Sequence, residues 1–258
     1  MKEKLVLIGN GMAGMRTIEE LLALAPDLYD ITVFGAEAQA NYNRILLSPV
    51  LAGEKTIDEI MLNDEHWYMD RGIVLYLNSE VTGIDRNNRR VTTADGVSAD
   101  YDRLLIATGS QPFVLPVPGN TLPGVIGFRD IHDVDVMIDA ARHYRHAVVI
   151  GGGLLGLEAA NGLLRQGMKV TVVHLGDTLM ERQLDSAAAK LLKKSLTERG
   201  IEFLMGVETA EIVGKKRVQG VRFKPAPGAD PGDGREISAD LVVMAVGIRP
   251  NIELAKKA

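Results

Sequence analysis

Residues 148–160 read VVIGGGLLGLEAA: an apolar run, a cluster of glycines, then a helix-compatible stretch. The pattern is that of a buried strand running into a glycine turn that opens a helix. Gly151, Gly153 and Gly156 space as GxGxxG. In such a turn the first glycine permits the tight bend and the second lets the backbone approach a pyrophosphate. The third lets helix and strand pack closely. Phosphates then meet the free N–H groups and the positive end of the helix dipole. One such turn is weak evidence, because glycine-rich loops are common.

This chain carries two. Gly9, Gly11 and Gly14 repeat the spacing 142 positions earlier, in LVLIGNGMAG (5–14). Each turn follows an apolar run, Leu5–Ile8 and Val148–Ile150, and leads through a helical stretch to a second strand, Ile31–Phe34 and Val170–Val173. Further on, SADYDRLLIATGSQP (98–112) matches SADLVVMAVGIRP (238–250), and the glycine-ended strands LLIATG and VVMAVG lie 138 positions apart. Between these landmarks the first copy offers β-like pieces at 73–77, 81–84 and 89–93, and the second at 201–204, 211–213 and 218–223. The repeat predicts an α/β fold of two Rossmann-like, doubly wound nucleotide-binding domains, each with a β-meander inserted before its closing strand.

Composition narrows the chemistry. The 258 residues are 46% apolar and 24% charged with a net charge of −5, which speaks against a nucleic-acid partner or an anionic membrane surface. Cysteine is absent, so there is no disulfide framework, thiolate metal site or redox dithiol, and any electrons handled must ride on a bound cofactor. The opening MKEKLVLIG is too short in apolar residues for a signal peptide. Residues 104–128 carry no charge, but four prolines and four glycines make them a strand and an extended linker, not a membrane span. A cytoplasmic protein is expected. His143 and His146 form HxxH without a third ligand nearby, which reads as a polar helix end, so no metal site is expected. No GxSxG elbow occurs, and PAPGADPGDG (225–234) reads as a loop at a hairpin tip.

The acid that holds a ribose in such folds separates the copies. In ITVFGAE, Glu37 stands just past the second strand of copy one, whereas VTVVHLGD puts His174 at that strand end in copy two. A neutral histidine can donate to a ribose hydroxyl and a charged one can attract a 2′-phosphate, so NADH and NADPH both stay open.

With ATGSQP closing the first copy and GIRPN the second, the chain resembles the FAD-dependent pyridine-nucleotide oxidoreductases over essentially its whole length. Within them, VGIRPN, GGGLLGLEAA, LMERQLD and YNRILLS after ITVFGAE are similar to the N-terminal flavin module of assimilatory NAD(P)H-dependent nitrite reductases. The resemblance implies FAD in copy one and NAD(P)H in copy two, with no side-chain acid or base in catalysis. Gly9, Gly11, Met12, Ala13 and Gly14 would cradle the FAD pyrophosphate, Glu37 the ribose, and Arg44 the phosphates. Val81 would meet the adenine edge, and Thr108, Gly109 and Arg129 the flavin nucleotide. Gly151, Gly153, Leu154, Leu155 and Gly156 would hold the NAD(P)H phosphates. His174 and Gly247 join that set, and Glu158 would lie near the meeting of nicotinamide and flavin.

The expected division is 1–112 for the FAD domain, 113–240 for the NAD(P)H domain, and 241–258 for the start of a return to the first. Pro49 stands where ferredoxin-reducing relatives often carry a lysine in YDRPPLSK, which weakens that alternative. The family's ribitol-binding Gly-Asp strand and C-terminal domain have no counterpart before Ala258. The resemblance therefore implies a piece of a longer protein, with siroheme and a [4Fe-4S] centre only beyond it. A small subunit, an electron-carrier protein and a second copy of the chain are open partners. Three readings compete: the electron-input module of nitrite reduction to ammonia, a reductase of rubredoxin or a similar carrier, and a nucleotide sensor or interaction module without turnover.

Overall fold

In the computed structural model, which describes residues 2–225 and 234–258, the first apolar run becomes strand Glu3–Ile8. It lies inside a four-stranded parallel sheet ordered Val74–Tyr76, Tyr29–Phe34, Glu3–Ile8, Arg103–Ile106. Leu5 through Ile8 are all buried, a continuous run because both faces of the sheet are covered. Leu5 and Leu7 pack with Met15 and Ile18 of helix Met12–Leu24 and with Tyr68. Val6 and Ile8 face the other way, against Phe34, Val81 and Val91, the last two from a three-stranded antiparallel meander. Each such side chain taken out of water stabilises the fold by about 1.5–3 kcal/mol.

The second unit repeats the plan. Its parallel sheet is ordered Val125–Ile126, Leu241–Met244, His146–Ile150, Lys169–His174, Glu202–Met205. Helix Leu154–Arg165 covers one side, burying Ala159, Ala160 and Leu163. Val148, Ile150 and Val173 pack with Ile212, Val221 and Phe223 of the second meander. Equivalent hydrogen bonds recur: Gly9 N–H donates to Phe34 O and Gly151 N–H to Val173 O, both at 2.8 Å. Ala107 N–H to Ile8 O matches Ala245 N–H to Ile150 O, also both at 2.8 Å.

Three expectations change in detail. Of each trio of β-like pieces, the first (Val74–Tyr76, Glu202–Met205) joins the parallel sheet. The meander takes its third strand from Ser98–Asp100, the first SAD, and from Glu236–Ser238, which reaches only the serine of the second. Helix Ile131–His143, which the sequence signalled only by its polar end, is capped by Asp130 accepting from Asp133 N–H. The loop at 225–234 lies, apart from its two ends, outside the described residues.

The division of the chain also differs from two consecutive stretches. One compact unit holds Met1–Arg44, Ile57–Gln111 and Arg249–Ala258, the other Ile45–Thr56 and Pro112–Ile248. Strand Leu241–Met244 therefore belongs to the second sheet, between Val125–Ile126 and His146–Ile150, and the return begins only after Ile248. The short helix Leu47–Leu51 packs against helices Leu154–Arg165 and Ile131–His143. Leu51 is fully buried beside Gly162, where a Cβ would lie 2.5 Å from Leu51 Cγ, and Gln166 Nε2 donates to Leu51 O at 2.7 Å. A leucine fitted to a missing side chain explains why this segment leaves its neighbours in sequence.

Candidate functional site: two glycine cradles

Both glycine turns stand at the carboxyl ends of parallel strands, where open α/β sheets bind ligands. Their three glycines do different work, and do it twice. Gly9 and Gly151 have φ of +109° and +124°, and a Cβ on either would fall 2.2 Å from Ala107 O or 2.3 Å from Ala245 O. At Gly14 and Gly156 a Cβ would press 2.8 Å from Gly9 O and 2.1 Å from Gly151 O, so these positions let helix meet strand. At Gly11 and Gly153 a Cβ would meet nothing within 4 Å. No contact among the described residues requires glycine there. The absent side chain opens space above the helix.

Those two middle glycines are also N-caps. Helices Met12–Leu24 and Leu154–Arg165 start on Gly11 and Gly153 with no side-chain cap and no acid in the first turn. Helices Glu65–Asp70, Ile131–His143 and Ser186–Glu198 are instead capped by Asp64, Asp130 and Asp185 accepting from backbone N–H groups. An uncapped helix start with its dipole unopposed is complementary to an anion. Ala13, Leu154 and Leu155 are exposed at these helix starts and Met12 is half-buried.

Around the first turn, Glu37 accepts from Tyr42 Oη at 2.6 Å and from Arg44, so both charged residues expected at the site come together at one carboxylate. Arg44 Cζ also lies over the Tyr42 ring, 5.0 Å from its centroid. Asn10, inside the turn, accepts from Tyr68 Oη at 2.7 Å, while its Nδ2 is buried without an acceptor among the described residues. Burial pushes the Tyr68 phenol up to about 12. Neither Asn10 nor Tyr68 stood out in the sequence; an asparagine between the first two glycines was the available signal. Val81 is buried at the head of its meander strand. Thr108 and Gly109 follow the closing strand, with Gly109 at φ +69° and open space where its Cβ would be. Asn251 clasps them: its Nδ2 donates to Thr108 O, Thr108 Oγ1 donates to Asn251 O, and Asn251 N–H donates to Gly109 O.

In the second unit, Glu158 accepts from Ser48 Oγ at 2.6 Å. The pair borders a mostly apolar cleft of about 290 Å³ with Leu154, Leu157, Asn161 and Met180. Gly247 follows the closing strand at φ +123° with open space around it. Arg129 stands past strand Val125–Ile126, its N–H donating to Asp133 at 2.7 Å. His174 is engaged through both ring nitrogens: Nδ1 accepts from Gly152 N–H at 3.1 Å, and Nε2 lies 3.1 Å from Glu181. His143 and His146 part company. The first ends a helix with Nδ1 2.9 Å from Asp139 O, and the second starts a strand with Nε2 3.0 Å from Thr171 Oγ1.

Twin cradles of this form are what a pair of dinucleotides requires, and a family model fits them throughout. Residues 3–258 match the model described as pyridine nucleotide-disulphide oxidoreductase. The chain belongs to this family. As a pyridine nucleotide-disulphide oxidoreductase it is similar along its full length to a nitrite reductase [NAD(P)H] of Bacillus subtilis, at 54% identity over 257 residues. It is 47% identical to the assimilatory nitrate reductase electron transfer subunit of the same organism. The chain spans 31% and 32% of those two proteins, about a third of each. Among solved structures, the putidaredoxin reductase of a covalent complex with putidaredoxin superposes with a TM-score of 0.88 at 28% identity, covering 99% of this chain and 61% of that one.

Proposed function

We propose that this chain is the electron-input module of an assimilatory nitrite-reducing enzyme, binding FAD on the Gly9–Gly14 turn and NAD(P)H on the Gly151–Gly156 turn. The single observation that carries this reading is the pair of uncapped helix starts, each under a glycine whose missing side chain serves no internal contact. Both are shaped for a pyrophosphate, and the buried Nδ2 of Asn10 adds a donor that wants an external acceptor at the first. When bound, the flavin supplies hydride acceptance and one-electron release.

The residues supply orientation and electrostatics. Gly11 and Gly153 admit the phosphates to backbone N–H groups. Glu37, held by Tyr42 and Arg44, receives the ribose hydroxyls of the FAD, while the Arg44 guanidinium faces its phosphates. Asn251 fixes Thr108 and Gly109 so that the backbone beside the flavin nucleotide keeps one shape. Val81 borders the adenine of the FAD, and Glu158 lies near the nicotinamide. Fixed geometry of this kind is how a protein accelerates chemistry that the cofactor itself performs. The eventual acceptor, a siroheme and [4Fe-4S] centre, lies outside these residues, and the cytoplasm is the compartment we assign.

Reduction of a small carrier protein is the second reading, favoured by the likeness to putidaredoxin reductase and by 33% identity to a ferredoxin reductase of Castellaniella defragrans. The test is anaerobic addition of NADH or NADPH to the flavin-loaded full-length enzyme, its siroheme and [4Fe-4S] centre included, followed by nitrite or by a carrier protein. Bleaching of the flavin with reoxidation by nitrite supports the main reading. Reoxidation only by the carrier supports the second, and no bleaching with either nicotinamide rejects both.

A further inference from the structure

The strand that should end in a ribose-binding acid, Lys169–His174, ends in a histidine that is already occupied. Because Nδ1 accepts from Gly152 N–H, its proton resides on Nε2, which donates to a carboxylate oxygen of Glu181. The ring fills the space beside the glycine turn: a Cβ on Gly152 would lie 2.8 Å from His174 Cγ.

The loop that brings Glu181 here is fastened to the same glycine. Met180 N–H donates to Gly152 O at 3.0 Å, so both backbone polar atoms of Gly152 are spent holding His174 and the loop. Leu179 is buried beneath, 2.8 Å from where the Gly152 Cβ would be. Met180 takes φ of +52°, a left-handed conformation costly for a side-chain-bearing residue. Met180 borders the cleft beside Leu154, while the next residue, Glu181, turns to the histidine. Glu181 keeps about half of its side chain exposed, with one oxygen on His174. Its own backbone N–H, with help from His174, holds it below the usual carboxylate range, so it is ionised at neutral pH.

Strain, two backbone hydrogen bonds and a buried leucine thus converge on placing one exposed carboxylate at the strand end beside a phosphate cradle. We propose that Glu181 is the acid that receives the adenosine ribose hydroxyls of the nicotinamide dinucleotide and excludes a 2′-phosphate. His174 is a positioning residue that steers it. The proposal rests on the reading of the Gly151–Gly156 turn as the NAD(P)H site, and it makes NADH the preferred donor. Arg182 follows Glu181 in the chain and is exposed.

The experiment is calorimetric titration of the protein with NADH and with NADPH, in wild type, Glu181→Gln, Glu181→Arg and His174→Gln, with thermal unfolding of each. The wild type should favour NADH by about tenfold or more, and Glu181→Gln should bring the two affinities within about threefold. Glu181→Arg should invert the order, and His174→Gln should narrow the ratio while NADH still binds. Equal or tighter binding of NADPH by wild type overturns the proposal, as does an unchanged ratio in Glu181→Gln. Binding of neither nucleotide to a folded wild type rejects the parent reading of the site, a separate outcome from a failed ratio.

Discussion

Gly153→Ala and Gly156→Ala are neighbouring, chemically identical substitutions that should fail in opposite ways. At Gly156 the new methyl would sit 2.1 Å from Gly151 O and 3.4 Å from Ala245 Cβ. Ordinary contact needs more than an ångström beyond the first distance, so the helix must lift off its strand. Overpacking of that kind costs about 1–3 kcal/mol, and for a protein of this size each kcal/mol lowers the Tm by roughly 2–4 °C. At Gly153 the backbone is extended (φ −84°, ψ −178°) and the methyl meets nothing within 4 Å. Its stability cost is limited to the poorer N-cap, about 0.5–1 kcal/mol. Yet the methyl stands in the approach to the free N–H groups, and forfeiting charge-assisted hydrogen bonds to a phosphate removes about 1.5–3 kcal/mol of binding, roughly 10- to 150-fold in Kd. The assay pairs calorimetric NADH titration with thermal unfolding. Gly153→Ala should unfold close to wild type and bind weakly, whereas Gly156→Ala should unfold several degrees lower. A Gly153→Ala protein that is folded and binds NADH within about threefold of wild type would refute the cradle argument.

Three further outcomes follow from the first unit. Glu37→Gln should weaken FAD affinity by about 1–3 kcal/mol by removing the charged acceptor, and an unchanged dissociation constant would remove Glu37 from the ribose site. Tyr68, with its phenol raised from 10.0 to about 12, keeps its proton while an unfolded tyrosine loses one. Its contribution is therefore intact below pH 10 and lost as pH rises through 12, by up to about 2–3 kcal/mol. Denaturant unfolding across that window should be flatter in Tyr68→Phe, and a parallel slope would mean that the burial is not felt. Asn251→Ala removes the side-chain bond to Thr108 O and should cost about 1–2 kcal/mol, with faster amide exchange at residues 253–257. Unaltered exchange there would show that the clasp does not hold the last helix.

Much of the architecture was legible because it is written twice. An apolar run before a single GxGxxG is weak evidence, and its repetition at 142 residues is what made two strand–turn–helix units legible. The SAD segments misled because only Tyr101-Asp102 and Ala239-Asp240 separate Ser98–Asp100 and Glu236–Ser238 from the closing strands, too short a break to show where one sheet yields to the other. Residues 45–56 could not be assigned by position, because their place depends on Leu51 meeting Gly162, more than a hundred residues away. The same holds at the sites. Glu37 and Arg44 lie within seven residues and a motif joins them, but Ser48 finds Glu158 and Asn251 finds Thr108 only through the fold. Glu181 was hidden by local geometry: its role depends on a left-handed Met180, a conformation nothing in the composition of LMERQLD announces.

The interleaved assignment of the chain has a consequence for biosynthesis. The ribosome delivers residues 1–44 before any of the other unit, but residues 249–258 of their unit emerge only after every residue of that other unit. Whatever the first sheet forms early must wait for Asn251 to close on Thr108 and for Leu254 to cover Val6, Ile8 and Phe34. Domains made of one continuous stretch can fold as they leave the tunnel, N-terminal first. Here a unit begun early draws on residues made late, so a nascent chain paused anywhere between residues 112 and 248 exposes the apolar side chains that Leu254 will seal. Ribosome-bound intermediates of such lengths are where chaperone contact should concentrate.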